Sequence, residues 1–205
     1  MIRVFDFVFS LIGILLLMPF LILISILIKT TSEGPLLYKQ QRVGLNNQDF
    51  FVLKFRTMFL NSDKSGLLTV GDRDPRITSI GYYLRKYKLD ELPQLFNVLF
   101  GEMSLVGPRP EVRKYVDLYN SNQIEVLSIR PGITDWASIM YRDENVILER
   151  SVNPEQDYID LILPDKINYN LIYIKKYNLI EYLKIIFFTL LIVIRPNFFH
   201  DKPKL

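Results

Sequence analysis

A long apolar run near the start of the chain limits this protein to folds that bury the run in a protein core or place it in a membrane. Residues 5–28 are mostly apolar, and about 20 such residues in succession are enough to cross a bilayer. The run is too long for the core of a signal peptide, and it lacks a small-residue cleavage site. Length and composition therefore predict a membrane-associated helix.

Two features bear on how this helix lies in the membrane. Pro19 is near its middle, where a proline removes a helix hydrogen bond and kinks the axis. Basic residues flank both ends, Arg3 before and Lys29 after, so the positive-inside rule gives no direction of crossing. A plain N-terminal anchor and a kinked helix with both ends on the cytoplasmic face remain open, and the second satisfies both flanking charges.

A second apolar run, Ile185 to Ile194, is too short to cross a bilayer. Lys184 and Arg195 bracket it, and basic and aromatic residues precede it. Such residues suit a headgroup layer. The run predicts an interfacial helix, with a buried core helix as the alternative.

Composition excludes several kinds of chemistry. The chain has 205 residues, which is enough for one modest domain, and its 25 basic and 22 acidic residues form no basic cluster that would indicate nucleic-acid binding. It has no Cys, and its single His is His200 in a polar tail. Thiolate nucleophiles, Ser-His-Asp triads and Cys or His metal sites are therefore excluded. Catalysis would depend on Asp, Glu, Lys, Arg or Tyr, with a hard cation held by carboxylates.

An amphipathic helix is predicted in the middle of the chain. Leu92, Leu95, Phe96 and Leu99 fall at helical spacing. Pro93 is tolerated only in a first turn, so the helix should begin close to Asp90, and Gly101 should end it.

The helix start and the loop beyond its end carry charged side chains. Asp90 and Glu91 would lie at the N-terminus of the helix, where backbone N–H groups and the helix dipole favour anions. Beyond the helix, the Gly107-Pro108-Arg109-Pro110 loop would hold a guanidinium rigidly. Together these features suggest chemistry on a phosphorylated substrate. The alternative is an ordinary N-cap with a favourable first-turn charge.

Further basic residues lie beside predicted elements. Residues 50–55 have strand character, and Lys54 and Arg56 would share a face of an extended run. Arg85 lies in a helix predicted near residues 80–87. Arg130 precedes Pro131-Gly132, a pair that predicts a tight turn with positive φ at the glycine. Each of these basic residues could contact phosphate or simply be solvated. Residues 61–74 are polar and predict a mobile loop.

Three segments together carry a family resemblance: Lys54-Phe55-Arg56-Thr57-Met58, the whole run from Lys88 to Pro110, which ends in Ser104-Leu105-Val106-Gly107-Pro108-Arg109-Pro110, and Arg130-Pro131-Gly132-Ile133-Thr134. They resemble the bacterial sugar transferase family, the monotopic polyprenyl-phosphate phosphoglycosyl transferases. The resemblance extends from Arg3 to about Arg195 and implies a minimal catalytic unit. The chain departs from the more familiar family pattern at Met18, Asp135 and Asn170, where that pattern has Ser, Gly and Asp.

The resemblance implies a fold and a location. The fold would be α+β, a small and mostly helical membrane-associated domain with interfacial amphipathic helices. Residues 1–30 would form a re-entrant helix broken at Pro19. Residues 31–195 would form the catalytic domain, including the C-terminal interfacial helix, and residues 196–205 a polar tail. The catalytic domain would face the cytoplasm at the bacterial inner membrane.

The resemblance also implies an activity. Sugar-1-phosphate would pass from a UDP-sugar to polyprenyl (undecaprenyl) phosphate with release of UMP, which initiates synthesis of a cell-surface glycan. Asp90 would be the nucleophile and Glu91 would hold Mg²⁺. The residues expected to bind substrate phosphates are basic: Lys54, Arg56, Arg85, Arg109 and Arg130.

Partners and other functions follow from the same resemblance. The lipid bilayer, a second copy of the chain and downstream glycosyltransferases are the expected partners beyond the two substrates. Two other functions remain open. One is a non-catalytic membrane-anchored scaffold or nucleotide-binding module of a polysaccharide assembly complex, and the other is a magnesium-dependent hydrolase of lipid diphosphates.

Overall fold

The computed structural model describes residues 1–60, 62, 74–142 and 144–195. The predicted loop 61–74 lies almost entirely outside the described residues, and the tail 196–205 lies wholly outside them. Within the described ranges the fold is α+β and mostly helical, as predicted.

The helices are α1 Ile2–Thr31, α2 Ser79–Lys86, α3 Gln94–Phe100, α4 Arg113–Val116, α5 Trp136–Met140, α6 Glu144–Glu149, α7 Pro154–Asp157, α8 Leu163–Lys175 and α9 Leu179–Ile194. The strands are β1 Leu37–Val43, β2 Asp49–Phe55, β3 Ser104–Val106 and β4 Gly132–Thr134. Short 3₁₀ turns cover Leu45–Asn47, Leu89–Glu91 and Gln123–Ser128, and a π-helical turn covers Tyr158–Ile162.

The strands form two small sheets. β1 and β2 pair antiparallel, with Leu37 opposite Phe55 and Val43 opposite Asp49. The strand predicted at residues 50–55 is thereby confirmed. β3 and β4 pair in parallel, with Ser104 opposite Gly132, and this pair supports the loop that carries Arg109.

α1 lies along the domain with one face buried. Its buried residues recur at helical spacing: Asp6, Ser10, Ile14, Leu21, Ile24 and Ile28. Its opposite face is apolar and exposed. Pro19 lies inside the helix, which continues on both sides of it. Among the described helices only α1 is long and apolar enough to cross a membrane.

The second half of α1 packs against the middle of the chain. Leu21, Ile24 and Ile28 form a core cluster with Phe55 and Leu84. The apolar residues that flank the carboxylate pair pack against the same cluster: Leu89, Leu92 and Phe96. This packing fixes the Asp90-Glu91 segment beside the apolar helix.

α9 covers the second apolar run and has two different faces. Ile185 and Ile192 are buried in a cluster with Trp136 and Tyr182. The other face leaves large apolar side chains exposed: Ile180, Leu183, Phe187, Leu190, Val193 and Ile194. One helix therefore serves both as a core element and as an apolar outer surface.

Candidate active site

The carboxylate pair lies in a 3₁₀ turn rather than in the first turn of a long helix. The turn spans Leu89–Glu91, and α3 begins at Gln94, so the prediction that the helix starts at Asp90 is wrong. Lys88, with φ 56°, lies directly before the 3₁₀ turn, and Pro93 lies directly before α3. The predicted end at Gly101 is confirmed by its φ of 91°.

Glu91 is held by two cations. The Arg109 guanidinium binds its carboxylate through both terminal nitrogens, and Nη1 lies 3.2 Å from Oε2. Lys54 Nζ lies 3.6 Å from Oε1. Burial alone would raise the pKa of Glu91, but Arg109 and Lys54 hold it well below its usual range. Glu91 is therefore ionised with both oxygens occupied.

Asp90 is in the opposite situation. It is 7% exposed, and its buried Oδ1 has no hydrogen-bond partner among the described residues. Burial raises the pKa of Asp90, and the adjacent charge of Glu91 raises it further. The positive charges of Lys54, Arg85 and Lys88 act in the other direction. The pair thus contains one neutralised carboxylate and one with an uncommitted oxygen.

Lys54 reaches the carboxylates from β2. Its side chain is 18% exposed, and desolvation lowers its pKa to about 8, assisted by the neighbouring charges of Arg109 and Arg42 and opposed mainly by that of Glu91. Lys54 therefore carries a charge at neutral pH that is lost at mildly alkaline pH.

The loop that carries Arg109 is held by its backbone. The Arg109 N–H donates to Asp135 Oδ2 at 3.2 Å, and the other oxygen of Asp135 accepts from Ser138 N at 2.6 Å. Asp135 is fully buried and caps α5. Asp135 follows β4 directly and Arg109 follows β3 by a short loop, so the parallel sheet positions both the acceptor and the donor of this hydrogen bond.

Two glycines allow the strands to approach this closely. Gly107 N donates to Thr134 O at 3.0 Å, and a Cβ on Gly132 would lie only 2.1 Å from Gly107 N. Gly132 does not adopt positive φ, so that part of the turn prediction is wrong. The glycine is needed here because there is no room for a side chain.

The structure brings some predicted phosphate ligands to the carboxylate pair and leaves others elsewhere. Lys54 and Arg109 contact Glu91, and the charge of half-buried Arg85 acts on Asp90. Arg56 follows β2 and donates to Glu33 O and to Ser32 O at 2.8 Å. Lys54 and Arg56 therefore contact different partners. Arg130 is exposed and donates to Gly101 O at 2.8 Å.

A second buried network, which the sequence analysis does not predict, lies behind the Arg109 loop. Glu111 accepts from Tyr158 Oη at 2.5 Å and from Arg42 Nη1 at 3.4 Å. Lys166 Nζ lies 3.7 Å from the same carboxylate. Arg42 also donates to Pro110 O at 3.2 Å, so this network holds the two residues that follow Arg109.

The carboxylate pair could supply only part of the ligand set of a hard cation. Across the part of the chain that the structure describes, no three acidic or histidine side chains are grouped to hold a metal ion. Magnesium is commonly bound by one or two carboxylates, with the remaining ligands supplied by water and substrate phosphates. Glu91, next to the orphaned Oδ1 of Asp90, fits such a partial set as its one carboxylate ligand. Glu91 would contribute only after releasing an oxygen from Arg109 or Lys54.

Comparison with known proteins decides the family. A model of the bacterial sugar transferase family matches residues 1–196 of this chain. The chain belongs to the bacterial sugar transferase family. The segment that carries Asp90, Glu91 and Arg109 lies within the matched residues, and Arg109 and Glu91 contact each other in the structure.

Similarity to individual proteins supports this assignment. The chain is 42% identical to a UDP-N-acetylgalactosamine-undecaprenyl-phosphate N-acetylgalactosaminephosphotransferase of Aeromonas hydrophila, over 68% of this chain and 34% of that protein. It is 45% identical to an undecaprenyl-phosphate glucose phosphotransferase of Komagataeibacter xylinus, over 67% of this chain and 27% of the relative. A putative undecaprenyl-phosphate N-acetylgalactosaminyl 1-phosphate transferase of Bacillus subtilis is 42% identical, over 63% of this chain and 72% of its own length. The matches thus cover about a third or less of the first two relatives.

Proposed function

We propose that this sugar transferase moves sugar-1-phosphate from a UDP-sugar to polyprenyl phosphate through a covalent intermediate on Asp90. The observation that carries the proposal is the asymmetry of the carboxylate pair. Asp90 keeps a buried oxygen without a partner, whereas Glu91 is saturated by Arg109 and Lys54. A nucleophile needs an uncommitted lone pair, and Asp90 is the member of the pair that has one.

In the first step, Asp90 attacks the phosphorus that bears the sugar. The new bond joins the carboxylate oxygen to that phosphorus, the bond from phosphorus to the bridging oxygen breaks, and UMP leaves with the electron pair. The product is an acyl phosphate, which is itself reactive. In the second step, an oxygen of the lipid phosphate attacks the same phosphorus and displaces Asp90. The bond between C1 and oxygen is never broken, so the anomeric configuration is retained.

The basic residues would neutralise the charge that accumulates in this reaction. Arg109 offers the bidentate geometry that suits phosphate oxygens, and its ion pair holds the guanidinium on Glu91, the residue that follows Asp90. Lys54 lies on the same carboxylate and would add a second positive charge. The Arg109 backbone is fixed by Asp135, so binding of a diphosphate would require movement of the side chain alone.

Mg²⁺ is part of this proposal, with Glu91 as its protein ligand. The ion would screen the repulsion between an anionic nucleophile and an anionic diphosphate. Glu91 and Arg109 would then exchange partners, because Arg109 occupies both oxygens of Glu91 at rest.

The contacts at the two ends of α1 support a monotopic arrangement. Near its start, Arg3 donates to Val98 O at 2.5 Å and to Leu99 O at 2.9 Å. Just past its end, Ser32 O accepts from Arg56 at 2.8 Å. One folded domain contacts both ends, although a helix of 30 residues is about 45 Å long. Both ends would therefore face the cytoplasm, with the outer faces of α1 and α9 in the lipid and the helix bent at Pro19.

A screen for UMP release tests the proposed function. The full chain in lipid nanodiscs is given a panel of UDP-sugars with undecaprenyl phosphate, and the expected result is UMP release with one or a few of them. A protein that binds nucleotide without releasing UMP would be a scaffold. Inorganic phosphate released from a lipid diphosphate without any UDP-sugar would indicate a hydrolase.

A further inference from the structure

Asp6 is a buried acidic residue in the first turns of the apolar helix. It is 1% exposed, although the surrounding run is predominantly apolar. Burying a carboxyl group is costly unless it is hydrogen-bonded. Ionisable residues within membrane segments are rare and usually functional. The contacts of Asp6 therefore indicate what it does.

Three donors converge on one oxygen of Asp6. Oδ1 accepts from Ser104 Oγ at 2.9 Å, from Leu105 N at 2.9 Å and from Tyr182 Oη at 2.8 Å. Ser104 and Leu105 belong to β3, and Tyr182 belongs to α9. No ion pair joins Asp6 to a basic side chain within the described ranges. This residue is therefore a junction between three elements that are far apart in sequence.

β3 leads directly to the loop that carries Arg109. Ser104 N donates to Pro131 O at 2.8 Å, and Gly107 N donates to Thr134 O at 3.0 Å. The strand that Asp6 holds is therefore also the strand that sets the start of the loop. A shift of β3 would move the Arg109 backbone relative to Glu91.

Arg3, one turn earlier on α1, holds the other half of the site. Its guanidinium donates to Val98 O and Leu99 O near the C-terminal end of α3. A cation at this end of a helix is favourable because carbonyl groups there lack partners within the helix. α3 begins three residues after Glu91. The first turns of α1 thus contact both elements whose relative position sets the contact between Glu91 and Arg109.

We propose that Asp6 is a positioning residue, which couples docking of the membrane helix to the placement of Arg109 beside the carboxylate pair. The effect that we expect of Asp6 on catalysis rests on the proposed function. An amide oxygen has two lone pairs, as many as one carboxylate oxygen, but it carries no charge to hold the three donors that Oδ1 accepts here. Hydrogen bonds to a charged acceptor are roughly twice as strong as neutral ones. Asp6→Asn should therefore loosen the junction while leaving the shape of the helix unchanged.

The test compares Asp6→Asn with the wild type and with Ser10→Ala in nanodiscs. Ser10 is a matched control because it is buried on the same face of α1 and its hydroxyl bonds only to Phe7 O in its own helix. For Asp6→Asn we expect the KM for the UDP-sugar selected by the UMP screen to rise about tenfold, since small misplacements can cost up to about 100-fold. Amide hydrogen exchange at residues 104–109 should accelerate. Ser10→Ala should match the wild type in both measurements.

Further outcomes separate positioning from simple stability. Loss of folded enzyme would lower kcat and leave KM unchanged, so a kcat effect alone would overturn the inference. Wild-type KM and wild-type exchange at residues 104–109 in Asp6→Asn would also overturn it. Tyr182→Phe removes one of the three donors and should give a smaller change in the same direction. If the wild type releases no UMP from any UDP-sugar, the proposed function fails, and the exchange comparison still decides the role of Asp6.

Discussion

Loss of the Lys54 charge should set the alkaline limit of activity. Desolvation and two neighbouring guanidinium groups lower the pKa of Lys54 from 10.5 to about 8. At 1.36 kcal/mol per pKa unit, the site disfavours the charged form by about 3 kcal/mol. A lysine with a lowered pKa keeps its charge below about pH 8 and loses it as the pH rises through that value.

The size of the effect follows from the protonated fraction. About nine tenths of Lys54 is charged at pH 7 and about one tenth at pH 9, so kcat/KM for the UDP-sugar should fall about tenfold between them. This ratio reports groups of the free enzyme, so titration of the lipid phosphate does not enter it. Lys54→Arg should remove the alkaline limb below pH 10, because a guanidinium stays charged there.

The assay is the initial rate of UMP release from pH 6 to pH 10 at UDP-sugar concentrations below KM. Lys39→Arg is the matched control, since Lys39 is an exposed lysine on the neighbouring strand, and it should retain the wild-type limb. A wild-type profile that stays flat to pH 10 would refute the requirement for a charged Lys54. An unchanged limb in Lys54→Arg would assign the titration to another group.

Three further predictions concern packing, metal and topology. Gly132→Ala places a Cβ 2.1 Å from Gly107 N and should lower the free energy of unfolding by about 1–3 kcal/mol. Thermal denaturation measures this change. The control is Gly13→Ala, whose Cβ would meet a side chain at 3.5 Å and should change the free energy of unfolding far less. Chelation of divalent cations should abolish UMP release and added Mg²⁺ should restore it, whereas full activity in excess chelator would contradict a metal role. Single cysteines introduced next to Arg3 or next to Lys29, with both basic residues kept, should be labelled from the cytoplasmic side only, and labelling of the N-terminal site from the periplasm would establish a true span.

Local sequence patterns predicted several elements because their causes are local. The strand at residues 50–55 and the helix near residues 80–87 are confirmed by β2 and α2 within one residue at each end. The β-branched and aromatic residues that favour the strand lie within residues 50–55 themselves. Gly101 ends α3 for an equally local reason, since its positive φ favours glycine.

Errors arose where tertiary packing decided the outcome. Gly132 was predicted to need positive φ, but its role is the close approach to Gly107, which lies on another segment. The carboxylate pair is predicted in a helical first turn, but it lies in a 3₁₀ turn that follows the left-handed Lys88, and Leu92 and Pro93 lie between this turn and α3. Such features depend on what each segment packs against.

The functional residues that the sequence analysis missed have distant partners. The Asp6 carboxylate contacts residues 98, 99 and 176 positions away along the chain. The sequence contains one signal for Asp6, because an acidic residue is unusual in an apolar run. Asp6 also lies one turn after Arg3. Glu111 directly follows the Gly107–Pro110 loop, but only the fold shows that Tyr158 and Arg42 meet it.

Mass spectrometry of the protein incubated with its UDP-sugar in the absence of polyprenyl phosphate tests most directly whether Asp90 is the nucleophile. If it is, we expect a burst of UMP that approaches the amount of enzyme, with the mass of one phosphosugar added to the peptide that contains Asp90. The adduct should disappear when polyprenyl phosphate is added and should be absent in Asp90→Asn. UMP release that requires the lipid from the outset, or an adduct on any other residue, would contradict the assignment of Asp90 as the nucleophile.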